Sequence, residues 1–212
     1  MVGDKTMGKV LVIKGTPQSE AQSRSTQVLK GFINEYKENN HQDDVIELDL
    51  YNMKIPLIDA DVLNGWNKLR AGENLTNLEL VKITAIDQLT EQFIEADKYI
   101  IQSSMWNLGI QPLLKAYIDT VSIAGKTFNY TKTGPKGLME GKKGIHIHGS
   151  GGIYSGTVGI EHCDSYITGI LRFLGIEVLP TIFVEGIDYQ PEQQEAIIAA
   201  ALQKAIETAQ YF

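Results

Sequence analysis

Residues 100–110 read IIQSSMWNLGI, a strand that runs into a loop, and this junction indicates both the fold class and a ligand site. Segment 98–102 is predicted to be a buried strand, and Pro112 opens a helix beyond the loop. In an open α/β sheet, ligands bind where strands end and loops lead into helices. Here Met105, Trp106 and Asn107 offer an apolar wall and an amide that both donates and accepts hydrogen bonds. The loop therefore suits a large planar heteroaromatic ligand.

Strand-like and helix-like segments alternate on both sides of this junction. Strands are predicted at residues 9–14, 44–50, 98–102, 144–148 and 177–184. Apolar residues at helical spacing predict helices within residues 28–36, 76–93, 112–121, 160–174 and 191–209. Such alternation is typical of parallel βαβ units. We therefore predict a flavodoxin-like three-layer α/β/α fold with a five-stranded parallel sheet in the order 2-1-3-4-5.

Two stretches do not fit this alternation. Residues 52–74 are long and irregular, and their apolar content makes a lid or an interface element a better prediction than disorder. The aromatic residues Phe128 and Tyr130 lie beside Gly134, Pro135 and Gly137, which is too glycine-rich for a regular element. This second stretch either walls a pocket or covers the edge of the sheet.

Composition narrows the possible classes of protein. With 212 residues the chain is long enough for one domain with a full core, predicted at residues 9–212 after a flexible leader at residues 1–8. The net charge of -7 opposes binding to nucleic acid or to an anionic membrane. Cys163 is the single cysteine, and the sequence has neither a signal peptide nor a long apolar run. A cytoplasmic location is predicted.

The first loop, residues 15–25, is rich in hydroxyl groups and leads directly into a helix. The free N–H groups and positive dipole end of that helix, with Thr16, Ser23, Arg24 and Ser25, are predicted to bind a phosphate. The alternative is that Ser25 only caps the helix. The G-x-G-x-x-G fingerprint of dinucleotide-binding proteins is absent, so a mononucleotide suits the loop better.

A second small-residue loop follows the fourth predicted strand. Gly149, Ser150, Gly151 and Gly152 let the backbone approach a ligand and present N–H groups to its polar edge. An ordinary flexible turn is the weaker alternative, because the loop stands at a strand end. The surrounding residues do not match the G-x-S-x-G nucleophile motif of hydrolases.

His146 and His148 stand two apart on a predicted strand and so project to the same face. A metal site normally needs three or four ligands, and neither a carboxylate nor a cysteine accompanies the pair at ligand spacing. Packed, hydrogen-bonded histidines and no metal are therefore predicted. Cys163 falls on the apolar face of its predicted helix, which indicates a core residue rather than a nucleophile.

From Lys9 to the C-terminus, the chain resembles the FMN-dependent NADH-azoreductases, which are flavodoxin-like quinone and azo-dye reductases. The most specific matches are Thr127-Phe128-Asn129-Tyr130-Thr131 and Gly134-Pro135-Lys136-Gly137-Leu138, together with Lys9-Val10-Leu11-Val12 and the Gly-Gly loop. The family commonly has Met-Tyr-Asn-Phe at the ring contact and Ser-Arg-Gly-Gly in the later loop. Trp106, Leu108 and the segment Gly149 to Gly152 depart from that pattern.

The resemblance implies a set of site residues. The FMN phosphate would be bound by Thr16, Ser23, Arg24 and Ser25, the ring by Met105, Trp106, Asn107 and Leu108, and the polar edge of the ring by Gly149, Ser150, Gly151 and Gly152. Trp106, Phe128 and Tyr130 would shape the substrate pocket. The chemistry would reside in the cofactor, so no catalytic side chain is expected.

The resemblance also implies an activity. NADH or NADPH would pass a hydride to N5 of tightly bound FMN and leave, and a quinone or azo compound would then bind and take the electrons in a ping-pong cycle. Members of the family are homodimers with the flavin at the subunit interface. The alternative is a flavodoxin-type electron carrier without an organic substrate of its own.

Overall fold

A computed structural model of the chain describes residues 7–157 and 159–212. Residues 1–6 of the predicted leader lie outside this range. Gly8, at the other end of that leader, donates its N–H to the Asp43 carboxylate at 2.9 Å. Among the described residues, no helix combines the length and the apolar character that crossing a membrane requires.

The described residues form strands and helices in alternation. The strands are β1 (Lys9–Lys14), β2 (Asp44–Asp49), β3 (Lys98–Ser104), β4 (Phe128–Thr131), β5 (Gly134–Gly137), β6 (Lys143–Gly149), β7 (Glu177–Val178) and β8 (Ile182–Val184). The helices are α1 (Arg24–Asn39), α2 (Ala60–Ala71), α3 (Asn77–Glu95), α4 (Pro112–Val121), α5 (Asp164–Phe173) and α6 (Gln194–Ala209), the last preceded by a 3₁₀ turn at Pro191–Gln193.

The main sheet is parallel and has the order β2-β1-β3-β6, with β7 and then β8 pairing along the free edge of β6. Val12 of β1 is in register with Glu47 of β2 and with Ile100 of β3, which in turn faces Ile145 of β6. The predicted order 2-1-3-4-5 is confirmed, since β6 is the fourth predicted strand and β7 and β8 together are the fifth. The fifth predicted strand is broken into β7 and β8, and Pro180 in the break has no N–H for the sheet.

Alternate residues of the central strands point to opposite faces of the sheet, which gives the predicted three layers. Val10 and Val12 lie in one buried cluster with Phe32 of α1 and with α6. Leu11 and Ile13 lie in a second buried cluster with residues of α3, α4 and α5. Helices therefore cover both faces, and the carboxyl ends of the strands remain open to loops.

The prediction that residues 52–74 are irregular is wrong for part of the stretch, because it contains the helix α2. Asp59 caps its first turn by accepting from the N–H of Val62 at 3.1 Å, and Gly72, with a φ of 71°, ends it. Lys68 of α2 forms an ion pair with Glu79 of α3 at 2.7 Å. Only Val62 and Gly65 of α2 are buried, so its helical pattern of apolar residues is weak.

The glycine-rich aromatic stretch forms a regular element, contrary to prediction. β4 and β5 pair antiparallel as a separate hairpin, with Phe128 opposite Gly137 and Tyr130 opposite Pro135. Four-residue strands containing glycine and proline are too short to show an alternating pattern. Leu174 and Gly175, at the end of α5, lie against Gly137.

Helix α5 begins at Asp164, four residues after the predicted start at Ile160. The side chain of Glu161 accepts from the N–H groups of Cys163, Asp164 and Ser165 at 2.6–2.9 Å, so it satisfies the first turn. Cys163 therefore occupies the N-cap position of α5 rather than a place on its apolar face. It is nevertheless completely buried, as a core residue should be.

The contact at Gly137 predicts a stability difference between two glycine-to-alanine substitutions. A Cβ at Gly137 would overlap the backbone of Leu174 and Gly175, so Gly137→Ala should lower the free energy of unfolding by about 1–3 kcal/mol. Gly169, inside α5, has open space around its Cβ position, so Gly169→Ala should raise stability by up to about 1 kcal/mol. Urea denaturation measures both, and equal midpoints for the two variants would contradict the described docking of the hairpin.

Candidate functional site

Loops that follow β1, β3, β6 and β8 meet at the carboxyl edge of the sheet and enclose two adjoining cavities. The first has a volume of about 190 Å³ and the second about 470 Å³. The first is lined by Gln18, Gln22, Ser23, Arg24, Ser25, Ser104, Met105, Gly149, Ser150, Gly151, Val184, Ile187 and Asp188. The second is lined by Met105, Asn107, Leu108, Ser150, Gly151, Gly152, Tyr154, Asp188 and Tyr189. Four shared residues make the two cavities one continuous crevice.

The N-terminus of α1 opens into the first cavity. Ser23 is the N-cap, and its side chain accepts from the N–H of Thr26 at 3.2 Å. The Ser25 hydroxyl accepts from the Gln102 side chain at 2.7 Å and lies 3.3 Å from the Ser23 hydroxyl. The first turn carries Arg24 and no acidic side chain, so the helix dipole and the guanidinium both favour an anion here.

Thr16 takes a different position from the other predicted phosphate-binding residues. Its side chain is completely buried and stands 3.5 Å from the N–H of Gln18, and Thr16 is not among the lining residues. Gln18 and Gln22 line the cavity instead. Neither residue was predicted, because loop residues have no periodic pattern that indicates the direction of their side chains.

The turn after β3 is strained. The N–H of Trp106 donates to the carbonyl of Gly109 at 2.9 Å, and the reverse bond is 3.0 Å, so Asn107 and Leu108 are the central residues of a two-residue turn. Their φ angles are 48° and 68°, and they are the non-glycine residues at positive φ in the described part of the chain. A leucine in this conformation costs about 1–2 kcal/mol. Such strain is typical of residues held in place for binding.

The strained turn divides the predicted ring contacts into two groups. Met105, Asn107 and Leu108 line the second cavity. Trp106 does not line either cavity. It is 41% exposed, and its ring lies 6.3 Å from that of Tyr51. Burial raises the pKa of the Tyr51 hydroxyl, so this hydroxyl stays protonated beside the turn.

The small residues of the loop after β6 are required by close contacts. A Cβ at Gly149 would lie 2.9 Å from the Ser25 hydroxyl, and one at Gly151 would overlap the Asp188 carboxylate. The loop backbone is held by hydrogen bonds from Met105 N–H to Gly149 O at 2.8 Å and from Ser150 N–H to Val184 O at 3.0 Å. The absence of side chains therefore lets three loops close around the crevice.

Several lining residues come from the loop after β8, which lies outside the predicted site. Ile187, Asp188 and Tyr189 belong to it, and Tyr154 belongs to the loop after β6. The Glu185 carboxylate accepts from the N–H of Ser155 at 3.1 Å and so connects the two loops. The rule that ligands bind at the carboxyl ends of parallel strands could have identified the β8 loop.

Phe128 and Tyr130 do not line the two cavities. Phe128 is buried, and its ring centroid lies 4.8 Å from that of Phe173. Tyr130, which stands beside it on the hairpin, is 77% exposed. Within one copy of the chain, Phe128 and Tyr130 contact each other but do not join the residues that line the two cavities.

The two histidines lie beneath the crevice, on the α5 face of β6. His146 is hydrogen-bonded as predicted, through Nδ1 to Asp164 at 2.7 Å and through Nε2 to the Ser103 hydroxyl at 2.8 Å. The prediction is wrong for His148, because neither of its ring nitrogens has a hydrogen-bond partner among the described residues. Ser103, His146 and Asp164 are hydrogen-bonded in the same sequence as the three residues of a hydrolase triad. However, Ser103 and His146 are completely buried, so a substrate cannot reach them.

The crevice has the chemical features that a flavin mononucleotide requires. An anion fits at the α1 N-terminus, backbone N–H groups of the Gly149 to Gly152 loop border the middle, and Met105 and Leu108 give an apolar wall for a planar ring. The close contacts at Gly149 and Gly151 show that the loop after β6 packs directly against Ser25 and Asp188.

Comparison with known proteins agrees with this geometry. A protein of Listeria innocua named FMN-dependent NADH:quinone oxidoreductase 2 is 50% identical over 211 residues, an alignment that covers 97% of this chain and 100% of that protein. A Staphylococcus haemolyticus protein named FMN-dependent NADH:quinone oxidoreductase is 46% identical over 208 residues, with the same coverage of both chains.

Solved structures extend the comparison to the fold. An azoreductase from Bacillus anthracis is 36% identical, with a TM-score of 0.91 and coverage of 97% of this chain and 100% of that one. An FMN-dependent NADH-azoreductase from the same species, crystallised with FMN, is 31% identical, with a TM-score of 0.90 and coverage of 96% and 98%. A family profile described as a flavodoxin-like fold matches residues 8–209. The chain therefore belongs to the flavodoxin-like family of FMN-dependent NADH:quinone oxidoreductases and azoreductases.

Proposed function

We propose that this protein binds FMN in the crevice and uses NADH to reduce quinones and to cleave aromatic azo compounds. The observation that carries the proposal is the continuity of the crevice from the N-terminus of α1 to the strained turn after β3. An anion-binding end and an apolar slot in one crevice match a phosphorylated flavin. The family relatives are named for this cofactor, this reductant and these acceptors.

The residues of the chain would bind and orient the reactants. Ser23, Arg24, Ser25 and the first N–H groups of α1 would hold the phosphate, with Thr16 supporting the loop from beneath. Met105 and Leu108 would contact the ring, and the Asn107 amide would hydrogen-bond to its polar edge. Trp106 would cover the slot from the outside of the turn, next to Tyr51.

The loop after β6 would complete the cofactor site. Gly149 and Ser150 would let the backbone come close to the ligand, and the N–H groups of Gly151 and Gly152 would donate to the ring carbonyl oxygens, because the Ser150 N–H already donates to Val184 O. The Ser150 hydroxyl donates to the carbonyl of Gly152 at 2.8 Å, which holds the loop in its bent form. This loop would bind the cofactor through backbone groups, so its binding would not depend on charged side chains.

FMN, when bound, accepts a hydride from NADH and delivers the electrons to the acceptor. The ionisable side chains that line the two cavities are Arg24, Asp188, Tyr154 and Tyr189, and none of them forms an acid–base pair with another. The chain therefore contributes binding, orientation and electrostatics rather than a catalytic side chain. NADH and the acceptor would occupy the same apolar slot in turn, which gives a ping-pong cycle.

We also propose that the enzyme is a homodimer. Exposed apolar side chains gather before and along α2 and α3, a surface that water disfavours in one isolated copy. They are Leu57, Ile58, Leu63, Leu69, Leu78, Leu80 and Val81. A second copy would cover them and would bring a partner's hairpin, with Phe128 and the exposed Tyr130, to the substrate slot. A cytoplasmic location accords with the single buried cysteine.

The visible absorption spectrum of the purified protein tests the proposed function. We expect the flavin bands near about 370 and 450 nm, loss of both on anaerobic addition of NADH, and their return on addition of a quinone or an azo dye. Bands that NADH leaves unchanged would support an electron carrier instead. A protein that remains colourless after incubation with FMN would rule out a flavoprotein.

Replacement of Arg24 tests the position of the phosphate. Arg24→Gln should weaken FMN binding by about 10-fold or more, since a hydrogen bond between charged groups contributes about 1.5–3 kcal/mol. Binding of riboflavin, which has no phosphate, should remain unchanged. Arg172→Gln, at an exposed site on α5, is the matched control for loss of one arginine. Flavin fluorescence quenching measures the affinities, and an equal loss for FMN and riboflavin would place the phosphate elsewhere.

Sedimentation velocity tests the dimer. The wild-type protein should sediment as a species of twice the 23.5 kDa mass of one chain, and the Val81→Glu variant should sediment as the monomer. Tyr211→Glu, at an equally exposed site on another face, should remain dimeric. Val81→Glu and Tyr130→Ala should both raise KM for the acceptor, because each removes the partner's Tyr130 from the slot. A monomeric wild-type protein would contradict the proposal.

A further inference from the structure

A cluster of three metal-binding residue types lies outside the flavin crevice, between β6 and the start of α5. One ring nitrogen each of His146 and His148 and the sulfur of Cys163 all lie within 4.8 Å of one another. All three side chains have 0% exposure. Cys163 is 15 residues from His148 in the sequence, so their proximity depends on how α5 packs against the sheet.

His148 has no hydrogen-bond partner on either ring nitrogen among the described residues. The nearest carboxylate, that of Glu185, is 3.8 Å from Nε2, which is beyond hydrogen-bond distance. A buried polar group without a partner destabilises the fold.

His146 is oriented as metal-ligating histidines usually are. Its Nδ1 faces the Asp164 carboxylate at 2.7 Å, and the Thr181 hydroxyl donates to the same carboxylate oxygen at 2.6 Å. A carboxylate on one ring nitrogen fixes the tautomer and leaves the other nitrogen for a metal. That other nitrogen, Nε2, points to the Ser103 hydroxyl at 2.8 Å.

The sulfur of Cys163 lies 3.3 Å from the same Ser103 hydroxyl. The Ser103 hydroxyl thus contacts both donor atoms, whereas two ligands of one tetrahedral zinc ion lie about 3.3–3.6 Å apart for bonds of about 2.0–2.3 Å. The most distant pair of donor atoms would have to approach by little more than 1 Å.

We propose that His146, His148 and Cys163 form a buried zinc site, with the Ser103 hydroxyl next to the fourth position. Two imidazoles and one thiolate are a donor set that Zn²⁺ prefers, whereas Mg²⁺ and Ca²⁺ prefer oxygen. Binding would replace the thiol proton with the metal and release that proton to solvent. The metal would give His148 the partner it lacks and join β6 to the N-terminus of α5.

Charge near the cluster supports a divalent ion. The zinc ion and one thiolate carry a net charge of +1, and the carboxylates of Asp164 and Glu185 lie beside the two histidines. Cys163 is a buried free thiol, and a bound metal ion would convert it to the thiolate.

Metal analysis of the holoprotein tests the site. After dialysis against Zn²⁺ and then against metal-free buffer, we expect one zinc per chain by mass spectrometry in the wild type. His148→Gln and Cys163→Ser should each lower the affinity at least 100-fold, and Asp164→Asn should lower it about 10–100-fold. His162→Gln, one residue from Cys163 but exposed, is the matched control and should retain the metal.

Two further readouts separate a built site from surface binding or from misfolded variants. Co²⁺ in place of zinc should give a thiolate charge-transfer band and visible tetrahedral bands at wavelengths longer than those of the flavin, and both should be lost in Cys163→Ser. Zinc should raise the melting temperature of the wild type but not that of His148→Gln, whose retained flavin spectrum would show that it folds. Zinc absent from the wild type, retained by His148→Gln, or bound without a thiolate band would overturn the proposal.

Discussion

The parallel pairing of β3 with β6 is the constraint on which the rest of the structure depends. It places Ser104 opposite Gly149, so the two strands end together at the same edge of the sheet. The N–H of Met105 then donates to the carbonyl of Gly149 at 2.8 Å and joins the two loops that follow. A shift of one residue would turn every side chain of β6 to the opposite face. The crevice above the sheet and the histidines below it would both be lost.

The two faces of β6 serve different purposes because side chains alternate along a strand. Ile145 and Ile147 lie in the buried cluster with α1 and α6, which fixes the N-terminus of α1 at the crevice. His146 and His148 point the other way, towards Asp164 and Cys163 at the start of α5. The same seven-residue strand therefore supports the N-terminus of α1 on one side and a polar cluster on the other.

The negative net charge of the chain does not extend to the anion-favouring end of the crevice, where the donors are the first N–H groups of α1 and the side chains of Arg24 and neighbouring polar residues. The chain has a net charge of -7, yet the first turn of α1 is free of acidic side chains and the loop after β6 consists of small residues. A backbone N–H group can donate to a ligand only at close range, and the glycines of the loop after β6 permit that close approach. At the other end of the crevice, the turn at Asn107 and Leu108 is strained, and the positive φ of the leucine destabilises the fold by about 1–2 kcal/mol.

Local patterns in the sequence determined the alternation of strands and helices, the sheet order and the loops that carry Ser23 to Ser25, Met105 and the Gly149 segment, because burial and chain direction repeat at fixed periods. The hairpin of Phe128 and the helix α2 escaped prediction since their buried faces are only one or two residues long. Tertiary packing alone decided that Asp188 reaches the crevice, that Tyr130 points away from it, and that Cys163 meets His148. Those contacts join residues far apart in the chain, and no local period encodes how two distant segments dock.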